Sequence, residues 1–131
     1  MLSLTQNFIV PTKTGQHVAA SHLPGCSRAL IIAEWITHGQ PLLIITPDNL
    51  TAQRLEDELR FFISDPHIPI HHFPDWETLP YDHFSPHHFI LSQRIATLYE
   101  MGHLKKGIVI AAISSLLQRI SPPEFIHHHS L

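Results

Sequence analysis

The sequence predicts an α/β fold, a parallel sheet with helices on both faces. Residues 41–46 and 108–112 are continuous aliphatic segments of strand length, a composition typical of strands buried on both faces of a parallel sheet. Segments with helical periodicity separate the strand-like segments, which predicts a doubly wound arrangement. With 131 residues and 44% hydrophobic content, the chain is long enough for one domain with a hydrophobic core.

The amino-terminal half predicts two strand–helix units. Residues 16–21 are expected to form a brief first strand, and residues 26–38 an apolar helix that Gly39 ends. After the second strand at residues 41–46, Asp48 is expected to cap the next helix. The apolar stripe of that helix comprises Ala52, Leu55, Leu59 and Phe62.

Residues 68–73 are expected to form a third strand, in which Pro69 indicates the start of the strand or a sheet edge. The proline-rich segment that follows cannot be regular structure, and its large aromatic side chains indicate an ordered loop. A helix is predicted from residue 86 to residue 101. Its apolar stripe comprises Leu91, Ile95 and Leu98.

The last predicted unit is a buried strand at residues 108–112 and a short helix after it. Ser114 is expected to cap this helix, and the pair Pro122–Pro123 to stop it. Because ligands bind at the carboxyl ends of parallel strands, the site is expected along that rim of the sheet. The segments predicted there are the turns at 24–26 and 46–48 and the loop around Trp76.

The first strand–turn–helix unit has the layout of a phosphate-binding P-loop without its chemistry. The pattern G-x-x-x-x-G-K-[ST] would place its two glycines at His22 and Ser27. Arg28 replaces the lysine, and Ala29 replaces the residue whose hydroxyl binds Mg²⁺. Gly25 remains in the turn, and no acidic pair of the Walker B kind follows a strand. We therefore expect a degenerate P-loop and no catalytic residues in this chain.

Composition gives little support for membrane, metal or nucleic-acid binding. The net charge of −3, from 8 Lys+Arg and 11 Asp+Glu, predicts at most weak DNA binding. The 13 histidines are not accompanied by H-E-x-x-H or by a thiolate pair, so no metal site is expected. A single cysteine, no signal-peptide pattern and no apolar run of membrane length indicate a cytoplasmic protein.

Three motifs together resemble one protein family. They are T-P-D-N-L-T-A-Q-R-L-E-D-E-L at 46–59, D-W-E-T-L-P-Y-D at 75–82 with F-S-P at 84–86, and S-L-L-Q-R at 115–119. In this order and spacing they resemble the UvrB-homology module at the amino terminus of bacterial transcription-repair coupling factors. The second motif is specific, and the resemblance runs from about residue 23 to residue 125.

The resemblance implies a role within a larger parent protein. Members of this family displace RNA polymerase stalled at a DNA lesion with an ATP-driven translocase that acts on duplex DNA, and they recruit UvrA for nucleotide excision repair. The motor that uses ATP and Mg²⁺, the polymerase-binding domain and most of the UvrA-docking surface belong to other parts of the parent. The resemblance therefore implies a helicase-like subdomain, similar to domain 1a of UvrB, that is a non-catalytic scaffold without a cofactor.

We expect three parts along the chain: an amino-terminal extension at 1–14, the UvrB-like α/β subdomain at 15–126, and the truncated start of the next segment at 127–131. The signature loop has two interpretations. Its aromatic residues cover the sheet edge while its aspartates cap turns, or they contact another domain of the parent protein. The residues concerned are Asp75, Trp76, Glu77, Leu79, Tyr81 and Asp82.

Two further interpretations stay open. In the first, Arg28 takes the place of the lysine in an aberrant nucleotide-binding loop. In the second, basic side chains bind the DNA backbone weakly. These side chains are Arg54, Arg60, Arg94, Lys105 and Lys106. The turn that in related helicases touches DNA is expected to be structural here, with Asp48 as a helix cap and Leu50 and Ala52 in packing.

Overall fold

The structure, a computed structural model, describes residues 11–76 and 88–129, and side chains up to residue 126. Its strands are β1 (Pro41–Thr46), β2 (Ile70–Phe73) and β3 (Gly107–Ala112). Its helices are α1 (Ser27–Trp35), extended by a 3-10 turn (Ile36–His38), α2 (Asn49–Phe62), α3 (His88–His103), α4 (Ile113–Leu116) and α5 (Pro123–His129). These elements confirm the predicted α/β class.

The three strands form one parallel sheet in the order β1-β3-β2. In register, β3 lies between the other two strands, so that Val109 is opposite both Leu43 and His71. Every residue of β3 is buried, as the sequence predicted. A central strand is covered on both faces and flanked on both sides, which is why its composition is almost wholly apolar.

Helices cover both faces of the sheet. One face packs against α1 and α2, and its core consists of Ala29, Ile36, Ala52, Leu59, Ile68, Ile108 and Ile110. On the other face, Phe73 of β2 and Val109 of β3 border the same small apolar cavity as Leu98 of α3. Because neighbouring residues of a strand point to opposite faces, the alternation along each strand divides its side chains between these two layers.

Helix α2 has the amino-terminal cap and part of the buried apolar stripe that the sequence predicts. The Asp48 side chain accepts a hydrogen bond of 2.7 Å from the backbone N–H of Thr51, which confirms the predicted cap. Ala52 and Leu59 are fully buried, whereas Leu50, which was expected to pack, is 58% exposed. The 3-10 turn after α1 ends at Gly39 with φ of 84°, as expected for a glycine that terminates a helix.

The predicted first strand at 16–21 is wrong. These residues belong to no strand, and all of them are exposed. The segment is short, and Val18 is its only large apolar residue, so it has little apolar surface to place against the helices.

Strand β1 differs from its prediction because it lies at an edge of the sheet among the described strands. Leu43 and Ile45 are 53% and 54% exposed, while Leu42 and Ile44 pack against the core. Its sequence resembles that of β3, but position in a sheet is decided by which strands pair, and local composition does not encode it. The prediction that β1 is buried on both faces is therefore wrong.

Helix α3 presents a different stripe from the predicted one and continues to His103. Its buried residues are Ile90, Arg94 and Thr97, and Leu91 is exposed. The buried face of the helix includes Arg94, whose guanidinium lies over the rings of Phe73 and Trp76.

The predictions for the end of the chain are partly wrong. Ser114 does not cap α4; the N-cap position is Ala112, and the Ser114 hydroxyl donates to Asp75 instead. The short helix ends at Leu116, and Pro123 begins α5, since proline is well suited to the first helical position. Within the described part of the chain, no helix combines the length and apolar character that a membrane span requires.

Candidate functional site

The carboxyl ends of the three strands meet along one rim of the sheet, where the site was expected. The loop after β2 reaches the helix after β3, because Asp75 accepts a hydrogen bond from Ser114. The turn before α1 lies beside the end of β1, since Leu23 and Arg28 border the same cavity as Thr46. Thr46 is itself tied to the loop that follows it, where its hydroxyl donates to the Asp48 carbonyl at 2.9 Å.

The turn that resembles a P-loop satisfies its own hydrogen-bonding groups. The Ser27 hydroxyl donates to the Pro24 carbonyl at 2.6 Å, and the Ser27 amide donates to the same oxygen at 3.2 Å. In a working P-loop such amides point at phosphate oxygens. His22 and Gly25 both have positive φ, of 58° and 53°. The backbone conformation that favours glycine is thus adopted at His22 by a residue with a side chain.

The two positions that would act on phosphate and metal are unlike their counterparts in a P-loop. Ala29 is fully buried in the core and has no hydroxyl to offer a cation. Arg28 is exposed and makes no hydrogen bond or ion pair with the residues that the structure describes. The guanidinium can pair with an anion, but the site lacks the second group that would coordinate Mg²⁺.

A cavity of about 410 Å³ lies between this turn, the end of β1 and α2. Arg28 and Arg54 line it together with Glu58, and the rest of its wall is mostly apolar. Its apolar residues include Leu23, Ile31, Ile32, Trp35, Ile44 and Leu55. The cavity is therefore suited to an apolar group that carries a negative charge more than to a triphosphate.

Asp75 connects two of the three family motifs. Its Oδ2 accepts a hydrogen bond of 2.8 Å from the Ser114 hydroxyl, and its Oδ1 accepts one of 2.9 Å from Nε2 of Gln118. Oδ1 also accepts from the backbone N–H of Trp76 at 2.8 Å. A carboxylate with three donors holds the start of the signature loop against α4 and the residues that follow it.

The environment of Asp75 favours its charged form. Burial raises the pKa of this carboxyl, but the donors Ser114, Trp76 and Gln118, together with the positive charge of Arg94, outweigh burial and lower the pKa below its ordinary value of 3.8. Asp75 was expected to cap a turn or contact another domain, and its described role is a bridge between segments that are far apart in sequence.

Arg94 is the most buried charged residue among the described ones. It is 3% exposed, and its guanidinium carbon lies 4.2 Å from the ring centroid of Phe73 and 4.5 Å from that of Trp76. One guanidinium nitrogen donates to the Pro74 carbonyl at 2.5 Å. Burial lowers the pKa of Arg94, and the nearby Asp75 opposes this change. Arg94 thus makes cation–π contacts with two aromatic rings and holds Pro74 and Trp76 against α3.

The burial of Arg94 is a correction to the DNA-binding interpretation. Arg94 faces the protein interior, and Arg60 is paired with Glu56 at 2.7 Å. Sequence reasoning treated Arg94 as a surface cation and did not foresee its role. The sequence did contain a signal that Arg94 lies on the buried face of the helix. Arg94 follows Ile90 by four residues and precedes Thr97 by three, which places all three residues on one helix face.

Of the other signature residues, Trp76 is partly buried against Arg94. Glu77, Leu79, Tyr81 and Asp82 lie outside the described residues. Across residues 11–76 and 88–129, no three histidine, cysteine or acidic side chains come together as ligands for a metal ion.

The comparisons with known proteins agree on one family, although no family model matches the chain. The transcription-repair-coupling factor of Escherichia coli (strain K12) is 38% identical over 125 residues, which is 95% of this chain and 11% of that protein. The protein of the same name from Haemophilus influenzae is 41% identical over 124 residues, which is 93% of this chain and 10% of the relative. One from Rickettsia bellii is 33% identical over 93 residues. The chain spans about a tenth of the length of these curated relatives.

Proposed function

Because the chain belongs to the transcription-repair-coupling factor family, we propose that it acts as a non-catalytic scaffold subdomain of such a factor. In this proposal, the parent displaces stalled RNA polymerase from damaged DNA, using ATP and Mg²⁺ in a motor elsewhere in the polypeptide. The parent also recruits UvrA for nucleotide excision repair, mainly through a domain adjacent to this one. The subdomain keeps the helicase-like architecture of UvrB domain 1a, has no cofactor and is cytoplasmic.

The observation that carries the proposal is that the turn before α1 forms hydrogen bonds within itself. Both the hydroxyl and the amide of Ser27 are bound to Pro24, at 2.6 and 3.2 Å, so these donors are not available to a phosphate. The hydroxyl that would hold Mg²⁺ is replaced by the fully buried methyl of Ala29. The loss of both features supports a subdomain that does not orient or polarise a γ-phosphate.

A scaffold role also fits what the signature residues do. The Asp75 carboxylate accepts hydrogen bonds from the Ser114 and Gln118 side chains, and the Arg94 guanidinium donates to the Pro74 carbonyl. Both charged groups therefore have partners within the molecule. These polar interactions therefore connect the residues after β2 to α3, to α4 and to the residue Gln118 that follows α4. Such a cluster supports a rigid shape that neighbouring domains can pack against.

A nucleotide titration tests the proposal directly. We expect ATP with Mg²⁺, up to millimolar concentration, to leave the thermal unfolding midpoint of the chain unchanged, because a ligand stabilises only the state that binds it. Arg28→Ala serves as the matched variant. A rise in the midpoint at micromolar nucleotide that Arg28→Ala abolishes would refute the scaffold proposal and establish a nucleotide-binding subdomain.

The nucleotide-binding function is the second candidate, and one observation favours it. Arg28 and Arg54 line one cavity of about 410 Å³ beside the turn. An anion with an apolar body could pair with these cations without a P-loop, and the same titration decides between the two functions. Weak binding to duplex DNA is disfavoured by the burial of Arg94.

A further inference from the structure

We propose that the cavity between α1 and α2 binds a small amphipathic carboxylate, a molecule with a single negative charge and an alkyl or aromatic body. This inference goes beyond the scaffold function and does not depend on it. The cavity has a volume of about 410 Å³, which is within the usual range of small-molecule sites in proteins. Arg28 and Arg54 line it and supply the donors that would recognise a carboxylate.

One face of each helix lines this cavity. On both helices the lining residues follow the spacing i, i+3, i+4 and i+7, which places them on a single face. They are Arg28, Ile31, Ile32 and Trp35 on α1, and Thr51, Arg54, Leu55 and Glu58 on α2. Each helix therefore contributes one arginine, and α1 contributes most of the apolar wall.

The two arginines are available to a ligand. Neither Arg28 nor Arg54 makes a hydrogen bond or an ion pair with another residue in the described part of the chain. The Asp48 carboxylate attracts Arg54, but it is itself bound to the backbone N–H of Thr51. Arg28 lies in the first turn of α1, where the helix dipole also favours an anion.

The charges that line the cavity suit a ligand with one negative charge. Arg28 and Arg54 bring two positive charges and Glu58 brings one negative charge, which leaves a net charge of +1. A triphosphate would place several negative charges near Glu58, and the Ser27 donors that could bind its oxygens are bonded to Pro24. A carboxylate needs only the guanidinium groups. The balance of charge therefore favours a monocarboxylate over a nucleotide.

The wall of the cavity suits the apolar body of such a ligand. Ile31, Ile32, Ile44 and Leu55 offer aliphatic surface, and Trp35 adds an aromatic ring. The indole nitrogen of Trp35 is buried and has no hydrogen-bond partner among the described residues. The chain has two tryptophans, and of these Trp35 lines the cavity, so its indole signal is a local probe of binding.

An NMR titration of the 131-residue chain with sodium octanoate tests the proposal. We expect a saturable shift of the Trp35 indole N–H signal, with a millimolar or tighter dissociation constant, while the Trp76 signal stays in place. Trp35→Phe identifies the signal. Hexanoate should bind about fifteenfold more weakly, because each methylene contributes about fourfold to the affinity. The uncharged analogue 1-octanol should bind at least about tenfold more weakly than octanoate.

A pair of charge variants separates recognition of the carboxylate from adsorption to apolar surface. Arg28→Glu should weaken octanoate binding at least about tenfold. The variant is expected to fold, because Arg28 is exposed and acidic residues are favourable in the first turn of a helix. The matched control is Arg119→Glu, which makes the same change of charge at an exposed residue outside the cavity and should leave the affinity unchanged.

Three results would overturn the proposal. The first is that 1-octanol binds as tightly as octanoate, and the second is that the two charge variants bind octanoate alike. The third is that radiolabelled octanoate does not bind the intact parent protein in equilibrium dialysis, which would show that the cavity is filled there. The ATP titration bears on the scaffold function alone. Octanoate can fail to bind while ATP has no effect, so the two failures are distinguishable.

Discussion

At the scale of single residues, Arg94 and Asp75 connect the described start of the loop after β2, residues 74–76, to the helices around it. Arg94 lies between the rings of Phe73 and Trp76, and Asp75 binds Ser114 and Gln118. The guanidinium of Arg94 donates to the Pro74 carbonyl, and the charges of Arg94 and Asp75 attract each other. Conventional sequence reading assigns both residues to the surface because charged residues are mostly exposed.

Replacing Arg94 tests the importance of this stacking. We expect Arg94→Ala to lower the free energy of unfolding by about 3 kcal/mol, because it removes two cation–π contacts and the donor to the Pro74 carbonyl. Arg94→Lys should recover only part of this loss, since an ammonium cannot stack as a planar guanidinium does. Urea unfolding measures the change. Arg54→Ala is the control, and equal effects of the two alanine variants would contradict the described role of Arg94.

The pH dependence of stability tests Asp75. Its pKa in the folded protein lies below 3.8, so the folded state favours the ionised form. The stability it contributes is fully present above pH 3.8 and is lost as the pH falls through the folded pKa. Unfolding free energies measured between neutral pH and acid should therefore decrease at the acid end, and Asp75→Asn should decrease less. An identical acid profile for both proteins would argue against the interaction.

At the scale of elements, local patterns predicted the helices better than the strands. Helix α2 has its predicted cap at Asp48 and its predicted core residues Ala52 and Leu59, because capping and periodicity are local properties. Strand β1 has the composition of a central strand but lies at an edge. The segment at 16–21, which was expected to pair, does not. Strand pairing is decided by distant parts of the chain, which a local pattern does not contain.

The packing of α2 provides a matched test within one helix. Leu59→Ala should destabilise the fold by about 2–5 kcal/mol, because Leu59 is fully buried between α2 and the sheet. Leu50→Ala, at an exposed position of the same helix, should change the stability by less than about 0.5 kcal/mol. Chemical denaturation of both variants measures the difference. Similar losses for the two would mean that α2 does not pack as described.

The candidate site was predictable in position but only partly in chemistry. The motif comparison indicated the turn before α1 and the replacement of the hydroxyl by Ala29, because residue types are visible in the sequence, whereas the full burial of Ala29 is seen only in the structure. The binding of Ser27 to Pro24 was not foreseeable, because it depends on the three-dimensional course of the turn. The link between Asp75 and Gln118 spans 43 residues, and only the fold brings these two side chains together.

At the scale of the whole molecule, the chain combines a hydrogen-bonded rim with exposed apolar residues on β1. Hydrogen bonds connect Pro74 and Asp75, which follow β2, to α3 and α4, while Leu43 and Ile45 of β1 are exposed. This division is understandable for a segment that covers about a tenth of its relatives. The framework is proposed to supply shape, and the remaining polypeptide to supply the ATP-driven work.

In the proposed function, this segment is a scaffold that takes no part in the ATP hydrolysis of the parent. The most direct test is the DNA-stimulated ATPase activity of the intact parent carrying Ser27→Ala and Arg28→Ala together. The scaffold account predicts kcat and KM for ATP within about twofold of the wild type, since a tenfold effect would need about 1.4 kcal/mol of lost transition-state stabilisation. A fall of tenfold or more in kcat, with the segment still folded, would contradict it.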